Sequence, residues 1–363
     1  QEMISGSLNI RHRLSCQVPS SAMNDPHNSP DFSSRLMRRS QGQIVVARAL
    51  WYSEAGKAEL RTERLPPLAP GEARVRTEYS AISRGTERLV ALGKVPESEW
   101  QQMRAPLQAG AFPFPIKYGY SAAGIVTAGP EKLMGARTFA LHPHQDHFQV
   151  AETQLIAIPD AVPSRRAVLA ANMETALNAH WDAGTSPGDP VVVVGAGIVG
   201  LLVAYLARRI PGTDVVITDV DPSRARLANA LGVTFAAPGD IPSDRRIAFH
   251  ASATSAGLQT AIDTCAFEGR IIELSWHGAN AVTVNLGGAF HSRRLQIISS
   301  QVGHVAPSHR SRTSHRDRLE RAMALLDDPA LDVLVSDSIL FHELPDALPR
   351  IWSSATLPPV VCY

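Results

Sequence analysis

The spacing of apolar residues divides the chain into three textures. From Ile44 onward, short apolar segments recur: Ile44-Val45-Val46-Ala47, Ala73-Arg74-Val75-Arg76-Thr77, Gly124-Ile125-Val126 and Leu155-Ile156-Ala157-Ile158-Pro159. Pro66-Pro67, Pro70-Gly71 and Gly129-Pro130 punctuate them, which predicts short strands in a small barrel-like β domain. After Pro163 the period lengthens, and residues 165–181 predict a helix. Val191-Val192-Val193-Val194 then reads as a buried strand, followed by a glycine turn and a helix reaching Arg209. Val215-Val216-Ile217-Thr218 predicts a strand, and Pro222 to Leu231 predicts a helix closed by Gly232. Ile247-Ala248-Phe249, residues 270–274 and Leu295-Gln296-Ile297-Ile298 continue the alternation, which predicts βαβ units and a parallel sheet. The last part predicts a helix over 316–326, a strand at Val333-Leu334-Val335, a short helix after Pro345 and a strand at Val360-Val361-Cys362.

Residues 1–43 show neither period. They are rich in Ser, carry Arg11, Arg13, Arg35, Arg38 and Arg39, and hold only Glu2, Asp25 and Asp31 as acids. Such composition predicts disorder. Two accounts stay open: a translated upstream extension with Met3, Met23 or Met37 as the start, which we prefer, or an organelle transit peptide.

Composition narrows the class. A chain of 363 residues suits two domains, and 44% hydrophobic with 19% charged residues is ordinary for a globular protein. A net charge of +1 gives no strong pull on nucleic acid or membranes. No apolar run approaches a membrane span. Cys16, Cys265 and Cys362 are scattered, without metal-ligand spacing, so a reducing, cytoplasmic setting is expected.

The glycine turn carries the first chemistry. Gly195-Ala196-Gly197-Ile198-Val199-Gly200 follows a buried strand and opens a helix. Gly195 permits a tight turn, Gly197 lets the backbone approach a pyrophosphate, and Gly200 lets the helix pack on the strand. The helix start supplies amide donors for phosphate. Asp219 follows the second strand, where a carboxylate binds ribose hydroxyls and repels a 2′-phosphate, so NAD is expected over NADP.

With Tyr79 to Glu87, Gly119 to Gly124, this turn and Thr218 to Arg224, the chain from residue 44 to 363 resembles the medium-chain dehydrogenase/reductase superfamily, which includes the zinc alcohol dehydrogenases. The resemblance implies an α/β fold: a GroES-like β-barrel domain (44–165), a Rossmann doubly wound parallel sheet (166–304) and a C-terminal return to the first domain (305–363). It also places Arg224 near the adenine, Glu174 and Thr175 near the nicotinamide, and Ser275 beside the cofactor. The zinc motifs do not carry over. Ser83 or Arg84 stands where zinc members have Cys, Gly119-Tyr120-Ser121 stands for Gly-His-Glu, and no Cys lies between Cys16 and Cys265. Among zinc-free branches, Ile82 to Glu87 and Glu273 to Gly278 resemble the group that includes the bacteriochlorophyllide 2-hydroxyethyl dehydrogenases.

Without zinc, a hydrogen-bond donor must polarise the substrate oxygen. Tyr120 takes the place of the family's ligand His, with Ser83 and Thr86 on the facing wall and Glu87 set to pair with Arg84. Each also reads as ordinary structure: a core tyrosine, and turn hydroxyls. His142, His144 and His147 could gather a metal, though a polar loop is the simpler reading. Arg310, Arg312, Arg316, Arg318 and Arg321, and the cluster His291-Ser292-Arg293-Arg294, read as solvated faces or as a patch for an acidic substrate. The expected activity is zinc-independent hydride transfer between NAD(P)(H) and an alcohol or carbonyl. The alternatives are a non-catalytic NAD-binding sensor or scaffold, and a hydrolase using the His142 cluster. The expected partner is a small molecule, with the oligomeric state open and a homodimer admitted.

Overall fold

The structure is a computed structural model that describes residues 44–363; the expectation for residues 1–43 lies outside the described residues. Strands β1 (Val45–Glu54) and β2 (Lys57–Leu65) form a hairpin that turns at Gly56, where φ is +76°. β3 (Glu72–Ala81) leads into helix α1 (Arg84–Ala91). β4 (Ala109–Gly110) and β5 (Ile116–Lys117) complete a sheet in the order β2-β1-β5-β4. β6 (Ala122–Ala128), β7 (Arg137–Ala140), β8 (His147–Ala151) and β9 (Ile156–Ala157) build a second sheet on β3. Ala73 and Val75 of β3 bury one face against Val126, Ala140, Phe148 and Val150, the period-two pattern of a sheet with one face on the core.

The helix predicted over 165–181 arrives as α2 (Ser164–Ala167) and α3 (Ala170–Ala183). Then follow β10 (Pro190–Val194), α4 (Ile198–Arg208), β11 (Asp214–Thr218), α5 (Ala225–Ala230), β12 (Thr234–Ala236), β13 (Arg245–His250), α6 (Ser255–Thr264), β14 (Cys265–Glu273) and β15 (Gln296–Ser299). All six strands are parallel, in the order β12-β11-β10-β13-β14-β15. Counted from β10 this is the 3-2-1-4-5-6 order of doubly wound dinucleotide folds, with its crevice between β10 and β13. The four valines of β10 explain its central place. Val191 and Val193 enter the core shared with α3 and α4, while Val192 and Val194 enter the opposite core with Leu258 and Ile262 of α6.

α7 (His315–Ala324) packs on α3 through Leu319, Ala322 and Met323. The chain rejoins the second sheet through β16 (Ser338–Leu340), then passes through α8 (Leu344–Ser353) to β17 (Val360–Cys362), which pairs with β3. The strand expected at Val333–Val335 is instead the end of a 3₁₀ turn, Pro329–Val335. Asp328 accepts the Ala330 N–H, Pro329 opens the turn, and Leu331, Leu334 and Val335 are buried at helical rather than strand spacing. No helix among the described residues is long and apolar enough to cross a membrane.

Candidate active site

The glycine turn lies at the carboxyl end of β10, and its three glycines have different reasons. Gly195 sits at φ +108°, and a Cβ there would come within 2.7 Å of Ser252 N. A Cβ on Gly200 would meet the Gly195 carbonyl. At Gly197, whose φ is −75°, nothing lies within 4 Å of the Cβ position. The protein's own atoms therefore give no reason for glycine at 197, whereas a pyrophosphate lying on the turn does. α4 has no side-chain cap, so the first-turn amides of Ile198, Val199 and Gly200 have no partner within the helix. Asp219 lies against the turn, its carboxylate accepting from Ala196 N at 2.7 Å and Asp221 N at 3.0 Å. These residues fit a nicotinamide dinucleotide.

In the first domain, Tyr120 donates its hydroxyl to Ser83 Oγ at 2.6 Å. Burial pushes the Tyr120 phenol up to about 12, against the pull of the Ser83 and Thr86 hydroxyls. The structure thus brings together the three hydroxyls that the sequence assigned to facing walls. Ser83 is fixed from behind, because its N–H donates to Glu87 Oε1 at 2.7 Å. Glu87 is fully buried and also accepts from Tyr52 OH at 3.2 Å, with His144 Nε2 at 3.1 Å. His144 Nδ1 meets Ser80 Oγ at 2.6 Å, and Ser80 Oγ meets Tyr363 OH at 2.8 Å. A continuous polar chain therefore runs from Tyr363 to Glu87 beneath the Tyr120–Ser83 pair. Sequence reading missed it, because His144 and Tyr363 lie far along the chain from Ser80 and Glu87.

The pairing expected between Glu87 and Arg84 is not made. Arg84 Nη1 instead donates to the carbonyls of Ser354 at 2.6 Å and Thr356 at 2.8 Å. Arg224, expected near the adenine, is buried and donates to Ala355 O, with Asp221 at 3.5 Å. Burial holds Arg84 below the usual guanidinium range; Arg224 and Arg88 lower it further and Asp219 opposes them. One arginine from each domain thus grips the same three-residue segment beside Asp219, a second arrangement invisible in local sequence.

The remaining expected residues have partners of their own. Glu174 is buried on α3 and paired with Arg318 at 3.0 Å; Arg318 also donates to Asn178 Oδ1 at 2.6 Å and to the carbonyls of His304 and Val302. Burial raises the Glu174 carboxyl, and Arg318 opposes that rise. Thr175 Oγ1 bonds back to Ala171 O at 3.1 Å. Ser275 Oγ accepts from Ala253 N at 3.0 Å, next to the loop under Gly195. The three histidines of the 142–147 segment do not converge. His142 stacks on Phe148 at 4.1 Å, His144 joins Glu87, and His147 lies at 3.4 Å from Asp146. Within the basic runs, Arg316 is bonded to Thr153 O and Glu320, Arg293 to the carbonyls of Asp263 and Cys265, and Arg294 to Glu268, while Arg310 and Arg312 are exposed.

No family model matches the chain. The L-threonine 3-dehydrogenase of Rhizobium rhizogenes is 33% identical over 84 residues, 23% of this chain and 24% of that protein. The chain therefore aligns with about a quarter of the curated relatives it matches. An alcohol dehydrogenase from Escherichia coli CFT073 complexed with NADH superposes with a TM-score of 0.69 at 15% identity, covering 88% of this chain and 99% of that one. A protein described as a zinc-binding dehydrogenase from Sinorhizobium meliloti 1021, bound to NADP, gives 0.71 at 18% identity, covering 88% of this chain and 100% of that one. The chain shares its fold with these dehydrogenase structures. Against this fold, the usual zinc position can be tested on donor chemistry. Ser83 Oγ and Tyr120 OH are bonded to each other, the phenol holds its proton, and the Glu87 and Glu174 carboxylates are engaged. Protein zinc sites draw on thiolates, imidazoles and carboxylates, so this hydroxyl pair does not fit the ion.

Proposed function

We propose that the chain is an NAD(H)-dependent oxidoreductase of the alcohol dehydrogenase type, moving a hydride between cofactor and an alcohol or carbonyl carbon with no zinc at the reacting oxygen. The Tyr120–Ser83 pair carries this reading: two hydroxyls, one with its proton firmly held, stand where the family resemblance puts metal ligands. A nicotinamide dinucleotide supplies the hydride acceptor or donor when bound. The Gly195 turn and the start of α4 hold its phosphates, Asp219 takes its ribose hydroxyls and favours NAD, and Arg84 adds positive charge from the barrel side. Tyr120 donates a hydrogen bond to the substrate oxygen, and Ser83 and Thr86 orient it. An acidic substrate is the finer part of this reading, and it rests on the exposed Arg310 and Arg312 alone, since other guanidiniums of those runs are engaged.

The test is steady turnover of NAD(H) by the metal-stripped full chain on a panel of alcohols, ketones and quinones. Turnover that survives chelation and is lost in Tyr120→Phe supports the reading. Cofactor binding without turnover on any panel member favours the sensor alternative. Activity lost on chelation and restored by zinc overturns zinc independence.

A further inference from the structure

Three donor side chains converge at the carboxyl edge of the parallel sheet, outside the Tyr120 pair. His250 ends β13 and is fully buried; Glu273 ends β14 as its partner in register; His277 follows four positions later in the loop. Their donor atoms all lie within 4.8 Å of one another, the one such group of three among the described residues. The two imidazoles are near parallel, with centroids 6.0 Å apart.

The details favour an ion over a simple hydrogen-bonded dyad. Glu273 Oε1 accepts Ser275 N–H at 2.7 Å, which turns Oε2 toward both rings, at 2.7 Å from His250 Nδ1 and 3.7 Å from His277 Nε2. His277 Nε2 is buried and makes no hydrogen bond. A buried nitrogen aimed at a carboxylate yet too far to bond it calls for a missing partner. On the far side, His250 Nε2 meets Ser252 Oγ at 2.7 Å, and Ser252 Oγ reaches Thr254 Oγ1 at 3.1 Å.

We infer that His250, Glu273 and His277 form a binding site for a divalent transition metal of the zinc class. Two imidazoles and one carboxylate suit zinc and its first-row neighbours, and three protein ligands leave a fourth position for water or an incoming ligand. Donors around a tetrahedral zinc stand about 3.4 Å apart, so the present spacings, from 2.7 Å to at most 4.8 Å, bracket the distance that an ion would impose. Binding through His250 Nδ1 moves the ring proton to Nε2, where Ser252 Oγ accepts it. Ser252 and the Ser275 amide then orient the two ligands from behind, as outer partners do in metal sites. The site borders the dinucleotide crevice, since Ala251 and Ser252, which follow His250, lie against Gly195, but it shares no residue with the Tyr120–Ser83 pair, and its ligand set is argued independently of the hydride reaction.

The test is titration of the chelated full chain with Co²⁺, followed by the visible ligand-field bands of the bound ion, then displacement by Zn²⁺. One Co²⁺ per chain is expected, displaced by Zn²⁺. Glu273→Gln and His277→Ala should each weaken binding by about 100-fold or more, while Tyr120→Phe and His142→Asn leave it unchanged. Far-UV circular dichroism of His277→Ala, whose ring is partly exposed in a loop, should match the parent. Failure to take up Co²⁺, or uptake that His277→Ala leaves intact, overturns the assignment. Loss of the metal in His277→Ala with NAD(H) turnover kept separates this site from the hydride reaction.

Discussion

Tyr120 and Ser83 hold each other within the first domain, the phenol donating to the serine oxygen at 2.6 Å. Substrate oxygen must therefore replace or share an existing hydrogen bond, which keeps the donor aligned before anything binds. Positioned acid–base groups contribute roughly 10²–10⁴-fold in rate. Tyr120→Phe should lower kcat by about that factor with cofactor affinity and melting temperature close to the parent. A fall of less than about tenfold would show that the phenol is not the main donor, and Ser83→Ala is then the variant to measure.

Asp219 should make NADH bind more tightly than NADPH, read by cofactor fluorescence. Its carboxylate also closes the turn through Ala196 N, so Asn is the gentlest replacement. Asp219→Asn should narrow the NADH preference by about tenfold, the worth of roughly one to two hydrogen bonds. Tighter NADPH binding by the unmodified protein would sink the preference outright.

Acid should destabilise the fold through two buried imidazoles. Burial pushes His142 down to about 3 and His180 down to about 4, from an ordinary 6.5. The folded state thus binds fewer protons than the unfolded chain. Their stabilisation is fully present above about pH 6.5 and is lost as pH falls toward those values, with a slope of up to about 1.4 kcal/mol per pH unit for each ring. Urea midpoints measured at several pH values for His142→Asn should show a shallower fall by about one proton. An unchanged slope would mean that the ring is already protonated in the fold.

Arg318→Met should cost about 3–5 kcal/mol in denaturant unfolding, because it leaves the buried Glu174 carboxylate without its cation. Removing both charges, as Arg318→Met with Glu174→Met, should recover part of that loss. Glu174→Gln keeps a hydrogen-bonding oxygen for Arg318 and should affect stability more than turnover. A Glu174→Gln variant as stable as the parent but catalytically dead would return Glu174 to the reacting centre.

What the sequence revealed was local. The valines of β10, the glycine turn and Asp219 lie within one βαβ unit, so period and spacing placed them correctly. The hydroxyl trio was legible because Ser83 and Thr86 share one turn and Tyr120 sits in a recognisable motif. The Glu87–His144–Ser80–Tyr363 chain was not, since His144 and Tyr363 reach Ser80 and Glu87 from positions 57 or more residues away, through a loop and the returning C-terminal strand. Arg84 was misread for the same reason. Its true partners, Ser354 and Thr356, lie 270 and 272 positions away, and no periodicity links them. The strand misplaced at Val333–Val335 failed differently: β-branched residues there obey the capping by Asp328 and the burial of a helical face, not their intrinsic preference.

The return of β17 to β3 has a consequence for how the chain is made. Ser80 and Tyr363 touch across 283 positions of sequence. At about 5–20 residues per second, a ribosome takes roughly 15–60 s to cover that span. During that time the β3 edge at Tyr79–Ala81 waits without its final neighbour, while the parallel-sheet domain, whose strands lie between residues 190 and 299, is already complete in the nascent chain. The inserted domain matures first and the host domain last, so a translational pause or a stop shortly before Val360 would release a chain with a finished cofactor half and an open, aggregation-prone strand edge.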